Sequence, residues 1–197
     1  MKLISLAEVG IENAAVEVAA VLRQPGAVAV VPTETVYGLI AKVGDEAAFQ
    51  KIFSLKNRPA DKRIGWFAGN AGMLEAHGVI LTGLPEKLIQ RYTPGALTII
   101  ARRGDGATQG FRIPDHPLLA ELLRLMDMPL LQTSANCSGM ADAGSCEEAL
   151  SQLSGEVDCA VDGGALPPGA CGSTVVDATG SVPKILRQGA VDLNNWH

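Results

Sequence analysis

Apolar and polar positions alternate along the chain in two rhythms, one of helical period and one of short β-branched runs. Over residues 11–23, Ala15, Val18, Ala19 and Leu22 fall at helical spacing, and Gln24-Pro25-Gly26 ends the helix. The unbroken run Ala27-Val28-Ala29-Val30-Val31 reads as a buried strand stopped by Pro32. Residues 37–43 are predicted extended, and Asp45 is placed to cap a helix through Lys56 with Ala48, Phe49, Ile52 and Phe53 facing the core. A strand over 63–68, helices over 71–77 and 85–92, and a strand over 97–101 follow. Beyond them come a strand tip at 111–113, a leucine-rich helix over 117–126 and a strand at 129–132. Ser145-x-x-Glu148 has capping-box spacing and opens a helix to Leu153, and 159–161, 174–177 and 184–186 complete the extended segments. Strands and helices alternate without an internal repeat. The expectation is one α/β domain over residues 1–197, with a twisted mixed sheet flanked by helices.

Composition narrows this picture. A chain of 197 residues can bury a substantial core, and with 47% hydrophobic but only 4% aromatic residues that core is built from Ala, Val, Leu and Ile. The net charge of -5 lacks the global field of an autonomous nucleic-acid binder, while leaving room for a local basic patch. No apolar run reaches the roughly 18 residues that span a bilayer. Met1 to Glu8 has neither the apolar core nor the cleavage site of a signal peptide, so a cytoplasmic protein with no membrane partner is expected. Cys137, Cys146, Cys159 and Cys171 form no CxxC pair, and His77, His116 and His197 no HExxH arrangement, so no protein-only metal site is expected.

Four polar stretches at strand or helix ends could carry chemistry. Pro32-Thr33-Glu34-Thr35-Val36-Tyr37-Gly38-Leu39 follows a buried strand, and its hydroxyls suit a small polar ligand as well as an ordinary capped turn. Lys56-Asn57-Arg58-Pro59-Ala60-Asp61-Lys62-Arg63 holds four cations in eight residues. That concentration suits a nucleotide triphosphate, and equally a solvated charge run at a helix end. Thr133-Ser134-Ala135-Asn136-Cys137-Ser138-Gly139 can cradle phosphate oxygens or a ribose, although no GxxxxGK[ST] loop occurs. Gly169 to Asp177 is a glycine turn entering a strand with Ser173 at its mouth, and Arg112 and Arg187 are isolated cations near element ends.

Together, PTETVYGL, KNRP, PGALT at 94–98, RIPDHP at 112–117, TSANCSG, GSTVVD and ILRQG resemble, in order and spacing, the YrdC-like domain of threonylcarbamoyl-AMP synthases. The likeness runs from about Ala27 to Ala190. It implies synthesis of L-threonylcarbamoyl-adenylate and pyrophosphate from L-threonine, bicarbonate and ATP, for the threonylcarbamoyl modification of tRNA. By similarity, Thr33, Arg112 and Ser173 would hold threonine. Lys56, Arg58, Ser134, Asn136 and Arg187 would hold ATP, Thr133 could join either set, and Lys56 and Arg58 would act on the phosphates during catalysis. Mg2+ would arrive with ATP, bound mostly by phosphates and water. The chemistry is consistent: a carbamate oxygen attacks the α-phosphorus, so anions must be gathered and charge on the leaving pyrophosphate neutralised, without a covalent nucleophile.

The sequence departs from that family in three places. Arg63-Ile64-Gly65-Trp66-Phe67 stands where many members have a Pro-Leu pair and a strand with His, Phe67 falling near the His. Gln132-Thr133 replaces the commoner Pro or Ala before SAN, and Ala96 replaces the usual Pro of the PGP turn. The chain ends soon after ILRQG, as in the shorter bacterial branch without an added C-terminal domain. A second reading is an accessory protein of the same fold that binds double-stranded RNA or tRNA, with RNA or tRNA-modification proteins as its partners; a third is a paralogue with an altered substrate.

Overall fold

The computed structural model describes residues 1–59 and 62–193; Ala60 and Asp61 of the basic stretch, and His197, lie outside the described residues. The first half of the chain gives β1 (Lys2–Ser5), α1 (Leu6–Leu22), β2 (Val28–Val31), β3 (Gly38–Lys42), α2 (Glu46–Lys56), β4 (Gly65–Phe67), α3 (Ala71–Ala76) and α4 (Leu84–Tyr92). The second half gives β5 (Leu97–Arg102), β6 (Thr108–Arg112), α5 (Pro117–Met126), β7 (Leu130–Ser134), α6 (Cys146–Gln152), β8 (Cys159–Asp162), β9 (Thr174–Asp177) and β10 (Lys184–Arg187). All ten strands join one sheet in the order β1-β8-β2-β3-β7-β4-β6-β5-β9-β10. β1, β8 and β2 run parallel, as do the pairs β4/β6 and β5/β9; the other neighbours are antiparallel. The expected single α/β fold with a mixed sheet flanked by helices is the one observed.

The local signals act through the chemistry they named. Asp45 accepts a hydrogen bond from the Ala48 amide at 3.0 Å and so satisfies a free donor at the start of α2. At α6 the Ser145 hydroxyl accepts from the Glu148 amide at 3.1 Å, and the Glu148 carboxylate reaches back to the Gly144 amide at 2.8 Å. One strand, β1, has no counterpart in the sequence reading. Its four residues KLIS run straight into α1, and only pairing with β8, far along the chain, makes them a strand. Helix α1 therefore begins at Leu6, but Gly10 breaks it with φ 77°, so a regular helix starts at the expected Ile11.

Residues alternate across the sheet, and the two faces are covered differently. One face packs Val28, Val30, Leu39, Leu131, Trp66, Phe111, Ile99 and Val176 against Ile52, Leu55, Leu74, Leu88 and Ala149 of α2, α3, α4 and α6. This core runs the breadth of the sheet. The other face carries Ile4, Ala29, Val31, Ile40, Leu130, Phe67, Cys159 and Val161 beneath α1 and α5, which also pack on each other. That cover ends at Phe67. Beyond it, on the same face, β4, β6, β5 and β9 present Gly65, Gly110, Thr98, Ile100 and Val175 to an open cavity.

Candidate active site

The cavity has a volume of about 450 Å3, and loops after strand or helix ends wall it. Among the described residues, none of the six helices contributes a lining side chain. Thr33, Arg58, Arg112, Thr133, Ser134, Ser173 and Arg187, distant in sequence, all line it. Lys56 and Asn136 do not; they lie beneath the wall.

The turn after β2 is tied together by its own hydroxyls. Thr33 Oγ1 accepts from the Thr35 and Val36 amides at 3.0 and 3.2 Å, and lies 2.7 Å from the Val36 carbonyl and 2.9 Å from Thr35 Oγ1. With those bonds made, Thr33 shapes the turn more than it offers a free hydroxyl. Thr35 Oγ1 in turn accepts from Arg112 Nη1 at 2.7 Å. Tyr37, which the sequence grouped with the ligand-facing hydroxyls, points elsewhere. Its hydroxyl donates to the Gly164 carbonyl at 2.7 Å and accepts from the Gly163 amide at 3.0 Å, and burial pushes its pKa up to about 12.

Arg112 ends β6 and is only 4% exposed. Its guanidinium stacks 4.8 Å above the Phe67 ring, so the phenylalanine forms a flat seat for the cation. Burial lowers the pKa of Arg112, the charge of Glu34 opposes that shift and Arg187 adds to it. On the far side, Ser173 Oγ lies 2.7 Å from Thr98 Oγ1. Arg187 donates to the Ser173 carbonyl from Nε at 3.1 Å and Nη2 at 2.7 Å, and to the Ser173 hydroxyl at 3.3 Å. Thr98, from the PGALT run, is thus a site residue that the sequence reading did not single out. Its signal was there: Thr98 is the polar position in an otherwise apolar strand, Leu97-Thr98-Ile99-Ile100-Ala101.

The basic stretch divides into two roles. Arg58 lines the cavity and donates from Nη2 to the Arg63 carbonyl at 2.7 Å, while Arg63 bonds the Thr108 hydroxyl and, at 3.2 Å, its carbonyl. Lys56 is 1% exposed and does not line the cavity. Its ammonium donates to the Ser134 carbonyl, the Asn136 carbonyl and, at 3.1 Å, the Asn136 side-chain oxygen. That oxygen also accepts from Ser134 Oγ at 2.6 Å, and the Asn136 amide donates to the Met140 carbonyl at 2.7 Å. Three ammonium protons meeting three oxygens make Lys56 the post of the TSANCSG loop. Burial lowers its pKa from 10.5 to about 8, with Arg58 adding to the shift and Asp142 opposing it.

An α/β domain with a cationic, hydroxyl-lined cavity on an uncovered sheet face has the architecture in which open α/β sheets place ligand sites at strand ends. The chain belongs to the Sua5/YciO/YrdC family, described as "Telomere recombination", which it matches over residues 21–189. It is 32% identical to the threonylcarbamoyl-AMP synthase of Pyrococcus abyssi, over 93% of this chain and 56% of that protein. To the threonylcarbamoyl-AMP synthase of Bacillus subtilis it is 36% identical, over 89% of this chain and 53% of that one. The chain thus spans little more than half the length of these relatives. Among solved structures, P. abyssi Sua5 complexed with L-threonine superposes with a TM-score of 0.83 at 31% identity, over 96% of this chain and 58% of that one. E. coli YciO shares the fold with a TM-score of 0.83 at 24% identity, over 98% and 97% of the two chains.

Proposed function

We propose that the protein makes L-threonylcarbamoyl-adenylate and pyrophosphate from L-threonine, bicarbonate and ATP, in the cytoplasm, for modification of tRNA. One observation carries the reading: Arg112, Ser173 and Thr33 line the same cavity as Arg58, Ser134 and Arg187. An amino acid and a nucleotide held by these two groups would therefore meet. The relatives' names and the threonine complex of P. abyssi Sua5 support the same assignment.

In this reading the buried Arg112 guanidinium takes the threonine carboxylate, and the Thr98–Ser173 hydroxyl pair orients the rest of the amino acid. The threonine nitrogen bonds to the bicarbonate carbon with loss of water, giving a carbamate. A carbamate oxygen then attacks the α-phosphorus as the bond to pyrophosphate breaks. Arg58 and Arg187 neutralise the charge gathering on the phosphates, and Lys56 keeps the Ser134 loop in position against them. Magnesium would arrive with ATP, and Asp142, a cavity carboxylate beside the cationic wall, would be the residue placed to share it. When bound, the ion would supply further neutralisation of phosphate charge.

Incubating the purified protein with ATP, bicarbonate and threonine and following pyrophosphate and the adenylate by mass spectrometry tests the proposal. Pyrophosphate release should require all three substrates. Equal release without threonine would overturn it in favour of an altered substrate, and absence of turnover with tight duplex-RNA binding would favour the RNA-binding reading.

A further inference from the structure

Glu34 sits in the centre of the PTETVYG turn and has no place in the chemistry above. Its side chain is 17% exposed, yet both carboxylate oxygens are buried and make no hydrogen bond among the described residues. Its nearest opposite charge is Arg112, whose Nε lies 3.7 Å from Glu34 Oε1 and is itself buried without a hydrogen-bond partner. A carboxylate and a guanidinium edge, both buried and both unbonded, face each other at slightly more than hydrogen-bond length. Leaving such groups unpaired costs more than leaving neutral ones so.

The rest of the guanidinium is already committed in a telling way. Nη1 is held by Thr35, the neighbour of Glu34, and the ring of Phe67 lies against one face. The turn therefore reaches Arg112 along two edges, with a hydroxyl on Nη1 and a carboxylate on Nε. The group is left to offer its remaining donors to the cavity that Arg112 lines. A guanidinium has five donors in a rigid plane, so fixing two of its edges fixes the direction of the rest.

We propose that Glu34 is a positioning residue for Arg112, gripping its Nε edge so that the opposite donors are aimed at a carboxylate ligand. The inference rests on the reading that Arg112 meets the threonine carboxylate. The gap at Nε closes when the ligand draws the guanidinium into register, and the Glu34 charge keeps the buried arginine paired when no ligand is present. Thr35 and Glu34 act together, which gives the TET sequence of the turn a specific task in ligand binding.

Calorimetric titration of threonine and of ATP into the wild-type protein, Glu34→Gln, Glu34→Asp, Arg112→Lys and the Glu34→Gln/Arg112→Lys double variant tests this. Glu34→Gln keeps the shape and removes the charge that faces Nε, so threonine should bind about tenfold more weakly while ATP binds as before. Glu34→Asp should fall between wild type and Glu34→Gln. On the Arg112→Lys background, Glu34→Gln should add no further loss, because its effect passes through the guanidinium. Unchanged threonine affinity, an equal loss for ATP, or a full additional loss in the double variant would overturn the proposal. Should Glu34→Gln fail to fold, wild-type threonine affinity in Glu34→Asp would overturn it. If the wild-type protein binds no threonine, the reading of function falls, and proton exchange at Arg112 Nε then tests the positioning alone. Faster exchange in Glu34→Gln supports it and an unchanged rate refutes it.

Discussion

Two halves of one sheet face have opposite fates. On β1, β8, β2 and β3 the inward positions are Ile4, Cys159, Val161, Ala29, Val31 and Ile40, all sealed under α1 and α5. On β6, β5 and β9 the matching positions are Thr108, Gly110, Arg112, Thr98, Ile100, Val175 and Asp177, and they line the cavity. The sealed half is apolar and buried, so each side chain contributes stability through burial. The open half mixes glycine and polar side chains with Ile100 and Val175 and carries no covering helix. The same backbone ladder thus serves as core on one side of Phe67 and as binding floor on the other.

That contrast is broken most severely on the sealed side. Leu122 of α5 is fully buried, and Leu122→Ala should cost about 2–5 kcal/mol in urea unfolding while the folded fraction binds ligands normally. Arg112→Ala carries a comparable penalty of about 2–5 kcal/mol, but in threonine binding measured by calorimetry, because the ligand carboxylate loses its cation. ATP binding should change little in that variant. Its counterpart, Arg58→Ala, should weaken ATP with a marked salt dependence and spare threonine.

Lys56 sharpens the comparison through pH. Its pKa lies at about 8 in the folded protein against 10.5 ordinarily, because burial disfavours the charge. From about pH 8 to 10.5 the unfolded chain holds a proton that the folded one has released, so this group's contribution to stability rises across that window. The whole rise is at most about 3 kcal/mol. Thermal unfolding of wild type and Lys56→Met over pH 7 to 10.5 should show the wild type gaining on the variant; parallel curves would exclude a buried charged amine. The smallest effect on stability belongs to Gly110→Ala. A Cβ there would touch Ile100 at 3.6 Å and Thr98 at 3.9 Å, ordinary contacts, so stability should hold or rise by about 0.5 kcal/mol. Binding should nevertheless fall, since the floor has been raised.

Most of the fold was legible because strong local signals sat at the element ends: Asp45 and Ser145 as caps, Pro117 opening α5, and β-branched runs in β2, β5 and β9. β1 was not, since four residues acquire strand geometry only from β8. The positions of Thr33, Arg58, Arg112, Ser134, Ser173 and Arg187 around one cavity agree with their placement at element ends in the sequence. What the sequence could not express was direction. Lys56 and Arg58 are two residues apart, and a left-handed turn at Asn57, φ 48°, separates a cation tied inside the loop from one facing the cavity. The inward turn of Tyr37 toward Gly163 and Gly164 depends likewise on contacts more than a hundred residues away.

The glycines of the floor bear on descent as much as on shape. Gly38, Gly65 and Gly110 all lie where a strand faces the cavity. A methyl at Gly38 would meet the Thr133 carbonyl at 3.5 Å and Thr33 Cγ2 at 3.6 Å, and one at Gly65 would meet only the flexible end of Gln132 closely, at 2.7 Å. Gly38 and Gly110 can gain a carbon at ordinary contact distances, whereas at Gly65 Gln132 must move and the carbon comes to 3.4 Å from the Gly110 carbonyl. A lineage built on this sheet can therefore recontour its ligand chamber from Gly38 and Gly110 while keeping the strand pairing that carries the fold.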